Sequence, residues 1–231
     1  MITYTDKKNL RTSKLGSLFN SLIFRFKNTY FYDMNFLAHI YLSGPNELIT
    51  IGNFIADGIK GKDYLEYPHD VQIGILLHRE IDTFTDAHST FRLSTKRLHK
   101  KYSHYSGVIV DILYDHFLAK NWSNYCDEPL DTYVESFYRT LNDHYEILPS
   151  RTQHLMPYMI SDNWLLSYAR IEGIAQALAG MNRRTKNRSG MHLAVQDLQE
   201  FYDEFEDEFT DFFTELIAFS EKKLKILSSQ V

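Results

Sequence analysis

Towards the C-terminus, Leu198, Phe201, Phe205, Phe209, Phe212, Leu216 and Phe219 recur at steps of three and four. Glu200, Asp203, Glu204, Glu206, Asp207, Glu208, Asp211 and Glu215 fill the positions between them. This spacing predicts a long helix from about Val195 to Leu227, with one apolar stripe and an acidic face turned to water. Lys222, Lys223 and Lys225 suit the negative end of its dipole. Such a stripe has to be buried against other elements, so this helix reads as scaffold. The chain upstream follows the same period. Apolar segments run over Asn35 to Leu42, Leu48 to Ile59, a helix opened by Pro68 and ending near Thr85, and Gly107 to Trp122; Arg92 to Tyr102 is basic. Ser43-Gly44-Pro45-Asn46, Gly61, Pro129, Pro149 and Pro157 punctuate them. No alternation longer than a few residues and no internal repeat is present, so the expected fold is all-α.

At 231 residues the chain suits one large domain, placed at 34–231. With 44% hydrophobic and 24% charged residues it is not a disordered chain. It has no run of about 18 apolar residues to span a membrane. Cys126 is the only cysteine, which excludes an intrachain disulfide or a multi-cysteine zinc site and fits a cytoplasmic setting. A net charge of -5 speaks against nucleic acid as the partner. Residues 1–33 stand apart. Lys7, Lys8, Arg11, Lys14, Arg25 and Lys27 make them basic, and Leu15, Leu18, Phe19, Leu22, Ile23 and Phe26 form a helical stripe. Two readings apply: a membrane-surface or targeting segment, or a dispensable extension ahead of a second start at Met34.

Two predicted helices carry polar residues within their apolar stripes. Val71, Ile75, His78, Asp82 and Asp86 follow one another at steps of three or four, so His78 and Asp82 sit one turn apart on one face. An imidazole and a carboxylate at this spacing can share a cation, or simply a hydrogen bond. Asp111 and Asp115 share a face among Ile109, Val110, Ile112, Leu113 and Phe117. Burying an uncompensated carboxylate costs several kcal/mol, so this pair should meet a cation, an arginine or solvent. His39 and Asp57 are embedded in apolar surroundings as well. Helical bundles build metal sites from such contributions, and mixed imidazole and carboxylate donors suit Mn²⁺, Mg²⁺ or Fe²⁺.

Four blocks occur in order: Met-Asn-Phe-Leu-Ala-His at 34–39, Gly-Asn-Phe-Ile-Ala-Asp at 52–57, Leu-His-Arg-Glu-Ile-Asp-Thr-Phe-Thr-Asp at 77–86 and Asp-Ile-Leu-Tyr-Asp-His-Phe-Leu at 111–118. Trp122 and Gly180-Met181-Asn182-Arg183-Arg184 follow. This succession closely resembles the acyl carrier protein phosphodiesterases. The resemblance implies a helical domain of HD-phosphohydrolase-like type that uses a divalent cation, typically Mn²⁺. It implies hydrolysis of the 4′-phosphopantetheine arm from the serine of holo-acyl carrier protein, which would affect fatty acid biosynthesis. Matched block by block, it places His39, Asp57, His78, Asp82 and Asp111 as metal ligands. Asp57, Asp115 and His116 become catalytic candidates, Asp57 in either role. Arg79 could hold a phosphate oxygen or make a surface ion pair.

The implied partner is the carrier protein, an acidic helical bundle. Two basic clusters could receive it: Arg92, Lys96, Arg97, Lys100 and Lys101, and Arg183, Arg184, Lys186 and Arg188. Arg92, Lys96 and Lys100 lie at i, i+4 spacing and form a stripe, which a merely solvated helix face would also show. An HD-like enzyme acting on a nucleotide or small phosphodiester, and a non-catalytic carrier-binding module, are the alternative readings.

Overall fold

Asn46 supplies the first stop and start in the fold. Its side-chain oxygen accepts the amides of Leu48 and Ile49 and so caps a helix, after Gly44 has turned the chain at φ 71°. The computed structural model describes residues 36–230, so the basic extension expected at 1–33 lies outside the described residues. Helix α1 spans Phe36–Tyr41, α2 Glu47–Ile55, α3 His69–Ala87, α4 Ser89–Tyr102 and α5 Ser106–Lys120. Then follow α6 Leu130–Asp143, α7 Ser150–Ser161, α8 Trp164–Ser167, α9 Ile171–Arg184, α10 Ala194–Glu200 and α11 Tyr202–Gln230. Short 3₁₀ turns link several of them, and no strand occurs among the described residues. The fold is all-α, as the periodicity predicts.

Helix α5 is apolar nearly all round, because α1, α4, α9 and α11 surround it. Ile109, Val110, Ile112, Leu113, Phe117 and Leu118 are buried there. Phe205, Phe209, Phe212, Phe213 and Leu216 of α11 are buried as well, and the Phe209 ring meets those of Tyr114 and Phe117. One continuous core therefore joins the first helices to the last.

Helices α2 and α3 pack backbone to backbone. A Cβ on Gly52 would stand 2.1 Å from the Val71 carbonyl oxygen, and one on Gly74 would stand 2.0 Å from that of Ile49. Neither distance is possible for a real side chain, so each glycine is the condition for this approach. The contact sets Asn53, one residue after Gly52, against His78, one turn after Gly74.

Two expectations need correction. The helix expected from Val195 to Leu227 is interrupted at Phe201, whose backbone (φ -118°, ψ 37°) leaves the helical region. The two segments pack differently: α10 lies on α9, with its Asp197 bound by Lys101 and the Tyr102 hydroxyl at the end of α4, whereas α11 packs along α3, α4 and α5. The acidic face is also only partly solvated. Glu208 is buried against Ser94 and the Arg97 guanidinium, and Glu206 accepts from Lys120 and Asn121.

Candidate active site

The short helix α1 is held from outside. Both oxygens of Asp115, on α5, accept its first amides: Leu37 N–H at 3.0 Å and Ala38 N–H at 2.9 Å. An acceptor at a helix N-terminus satisfies amides that have no partner within the helix. The next residue, His39, is thereby fixed facing α2 and α3. Burial pushes the Asp115 carboxyl up to about 7, although the two amides pull it down.

Around His39 four further side chains converge. Its Nδ1 lies 2.8 Å from Asn53 Oδ1, and its Nε2 is 3.4 Å from Asp82 Oδ1. The His78 ring stacks on the His39 ring with centroids 4.0 Å apart. Its Nδ1 lies 3.1 Å from the same Asn53 oxygen, and its Nε2 is 3.1 Å from both Asp57 Oδ1 and Asp82 Oδ2. Asp57 stands on the 3₁₀ turn Ala56–Gly58, past the end of α2, and not on the helix expected to continue to Ile59. The imidazoles are buried, whereas the Asp82 side chain is 48% exposed, so the group opens to solvent through that carboxylate. Burial opposes the charge on His78, but hydrogen bonds and attraction from Asp57 and Asp82 outweigh it and push the imidazole up to about 10. Partial burial likewise raises the Asp82 carboxyl, yet His39 and His78 hold it well below the usual range.

The arrangement fits a divalent cation. His39, His78 and Asp82 each offer a ligand atom, and these atoms lie within 4.8 Å of one another. The Asp82 oxygens stand 3.4 Å from His39 Nε2 and 3.1 Å from His78 Nε2, the separations that neighbouring ligands have on a cation with bonds of about 2.1 Å. His39 Nε2 is buried and meets only the Asp82 carboxylate, at a long 3.4 Å, so a cation between them would satisfy both.

The remaining predicted residues are placed elsewhere. Asp111 borders a cavity of about 20 Å³ with Ala38, Ile81, Thr85 and Tyr114, beside the His39–His78–Asp82 group and not within it. His116 is buried with both ring nitrogens engaged: Nδ1 lies 2.8 Å from the Tyr168 carbonyl oxygen, and Nε2 lies 2.9 Å from the Tyr202 hydroxyl. Burial lowers its pKa. Arg79 donates to the carbonyls of Gly61 (2.9 Å) and Ile59 (3.1 Å) and stacks on Tyr64, tying down the loop that follows Asp57. Arg92, Lys96 and Lys100 are exposed on α4, with Arg92 also donating to the Asp86 carbonyl. Arg97 and Lys101 of the same cluster turn inward to Glu208 and Asp197. Arg183 and Arg184 end α9; burial, with help from Arg151 and Arg183, pulls Arg184 down to about 10. Asn53 is the residue that sequence reasoning passed over. Its signal was a carboxamide inside the apolar run Ile51-Gly52-Asn53-Phe54-Ile55.

The acyl carrier protein phosphodiesterase family model matches residues 34–216, a span that contains every member of the site. A Photorhabdus laumondii protein named acyl carrier protein phosphodiesterase is 31% identical over 170 residues, covering 73% of this chain and 86% of the relative. One of the same name from Yersinia pestis is 34% identical over 155 residues, 66% of this chain and 80% of that one. A Klebsiella pneumoniae protein, also so named, is 31% identical over 198 residues, 82% of this chain and 99% of its own length. No solved structure matches, so the relation to HD-type phosphohydrolases rests on sequence resemblance alone. Similarity that runs through all four motif blocks and most of both chains makes this protein a member of the acyl carrier protein phosphodiesterase family.

Proposed function

We propose that this protein hydrolyses the phosphodiester between 4′-phosphopantetheine and the carrier serine of holo-acyl carrier protein, using Mn²⁺. The observation that carries this reading is the convergence of the buried His39 and His78 imidazoles on the Asp82 carboxylate, in a chain of this family. His39, His78 and Asp82 hold the cation, with Asp57 and Asp111 as adjoining carboxylates. When bound, such a cation neutralises phosphoryl charge and lowers the pKa of coordinated water. Asp57 lies 3.1 Å from His78 Nε2, which supports either of two roles for it: a further ligand, or the acceptor of a proton from the attacking water. In the reaction a water oxygen bonds to phosphorus, the bond from phosphorus to the serine oxygen breaks, and that oxygen takes up a proton. The products are apo-carrier and 4′-phosphopantetheine.

The chain's other residues support this chemistry less directly. Asp115 seats α1 and with it His39, so it acts on the site by positioning. Arg79 steadies the loop after Asp57, and phosphate contact would cost it those carbonyl bonds. His116, with both nitrogens engaged, supports the packing of α5 and α11 in this reading. The exposed Arg92, Lys96 and Lys100, with Arg183 and Arg184, receive the acidic carrier. No described helix is long and apolar enough to cross a membrane. A cytoplasmic enzyme that adjusts the supply of active carrier for fatty acid biosynthesis fits these features.

The test is intact-mass analysis of holo-acyl carrier protein incubated with this protein. Loss of one phosphopantetheinyl group is expected with Mn²⁺ and not with a chelator. The Asp82→Asn variant should be slower by at least about 100-fold. An unchanged carrier mass with Mn²⁺ present would refute the reading. Cleavage of small phosphodiesters in its place would favour the nucleotide-type alternative.

A further inference from the structure

Asn53 sits in the last turn of α2 and is fully buried, yet it is an amide with two donors and an acceptor to satisfy. Its Nδ2 donates to the His39 carbonyl at 2.9 Å and to Ser43 Oγ at 2.9 Å. The carbonyl can only accept, and the Ser43 hydroxyl spends its proton on the same carbonyl at 2.8 Å, so it too must accept from Asn53. Two acceptors on this side settle which way the amide points. Its oxygen therefore faces the rings, 2.8 Å from His39 Nδ1 and 3.1 Å from His78 Nδ1. An amide oxygen carries no proton. Both Nδ1 atoms must donate, and in neutral imidazoles that leaves both Nε2 atoms with free lone pairs.

We propose that Asn53 is a positioning residue that presets His39 and His78 together, holding both as Nδ1–H tautomers so that both Nε2 lone pairs meet at the cation position. This rests on the metal reading above. Ligating histidines commonly give their second N–H to a carbonyl or carboxylate, which fixes ring orientation and tautomer. Here one oxygen with two lone pairs does so for two ligands, so its loss releases both at once. A neutral amide also suits the place. A third carboxylate beside Asp57 and Asp82, in a fully buried position, would carry a desolvation cost that the amide avoids.

The first test needs no variant: long-range ¹H–¹⁵N NMR of the imidazoles in wild-type protein saturated with diamagnetic Mg²⁺, because in the metal-free protein Asp57 and Asp82 keep His78 charged and so protonated at both nitrogens. Protonated Nδ1 with unprotonated Nε2 is expected in both rings; an unprotonated Nδ1 in either ring overturns the proposal. The second is calorimetric titration with Mn²⁺, using variants whose helical content matches wild type. Asn53→Ala should bind about 10- to 100-fold more weakly. Ser43→Ala, which loosens the amide's anchor and leaves its oxygen on the rings, should lose less than about tenfold. Unchanged affinity in folded Asn53→Ala, or equal losses in the two variants, overturns the role of Asn53 alone. A wild-type protein that binds no Mn²⁺ overturns the metal reading and this inference with it.

Discussion

Asp115 illustrates how a single buried carboxyl can serve a site without touching the reacting atoms. It holds the first amides of α1, and His39 follows directly. Because burial raises its pKa to about 7 from an ordinary 3.8, the folded state binds a proton here that the unfolded chain has already released. Between about pH 4 and 7 the stability due to Asp115 therefore falls as pH rises, and it levels off above the folded pKa. Urea midpoints measured at pH 5 and pH 8 should show this decline in wild type and a smaller one in Asp115→Asn, where the fall that remains belongs to His78, raised to about 10. The variant itself should cost about 1–3 kcal/mol at pH 5, since an amide nitrogen cannot accept one of the two backbone N–H groups. An identical pH slope in the two proteins would show that Asp115 does not titrate in this range.

Among the elements, the α2–α3 pair decides whether the site exists. Gly52 and Gly74 let the two backbones touch, and Asn53, Asp57, His78 and Asp82 all depend on that separation. In Gly74→Ala the new methyl would meet the Ile49 carbonyl oxygen, so the helices must part. We expect a stability loss of about 3 kcal/mol or more, together with loss of Mn²⁺ binding. Thermal melting and calorimetric titration would check the two effects. A folded variant with wild-type affinity would mean that the interlock does not set the ligand distances. The break at Phe201 belongs to this scale too. Helical periodicity runs straight through it, since no glycine or proline marks the break; Asp197, one turn before it, is tied to Lys101 and Tyr102 of α4.

For the molecule as a whole, charge is sorted by direction. The chain carries a net -5; Glu208 of its acidic α11 draws Arg97 inward at 2.6 Å, and Asp197 of α10 takes Lys101. Lys96 and Lys100 make no ion pair among the described residues and stay exposed on α4. An outward basic stripe on an acidic protein is a local feature, so it should act mainly on encounter with an acidic partner. Reversing Arg92, Lys96 and Lys100 to Glu should slow carrier turnover at low salt by about tenfold or more, and the gap should narrow as salt screens both proteins. The Lys96→Glu, Lys100→Glu pair is the cleaner arm, since Arg92 also bonds the Asp86 carbonyl. Equal turnover at low salt would remove the stripe from carrier recognition.

The sequence by itself determined the helical class, the apolar faces of α5 and α11, and the four polar blocks that mark the family. These depend on local periodicity and on residue types out of place in apolar runs, both readable without coordinates. It also pointed to His39, Asp57, His78 and Asp82, which the fold brings to one place. Only the tertiary structure decided how the embedded polar residues divide their work. Asp111 and Asp115 share one helix face by spacing, yet Asp115 meets the amides of α1 whereas Asp111 borders a cavity, because their surroundings come from helices distant in the chain. Asn53 went unnoticed for the same reason. Its two imidazole partners lie 14 and 25 residues away, and only the glycine-permitted contact of α2 with α3 brings both rings to one oxygen.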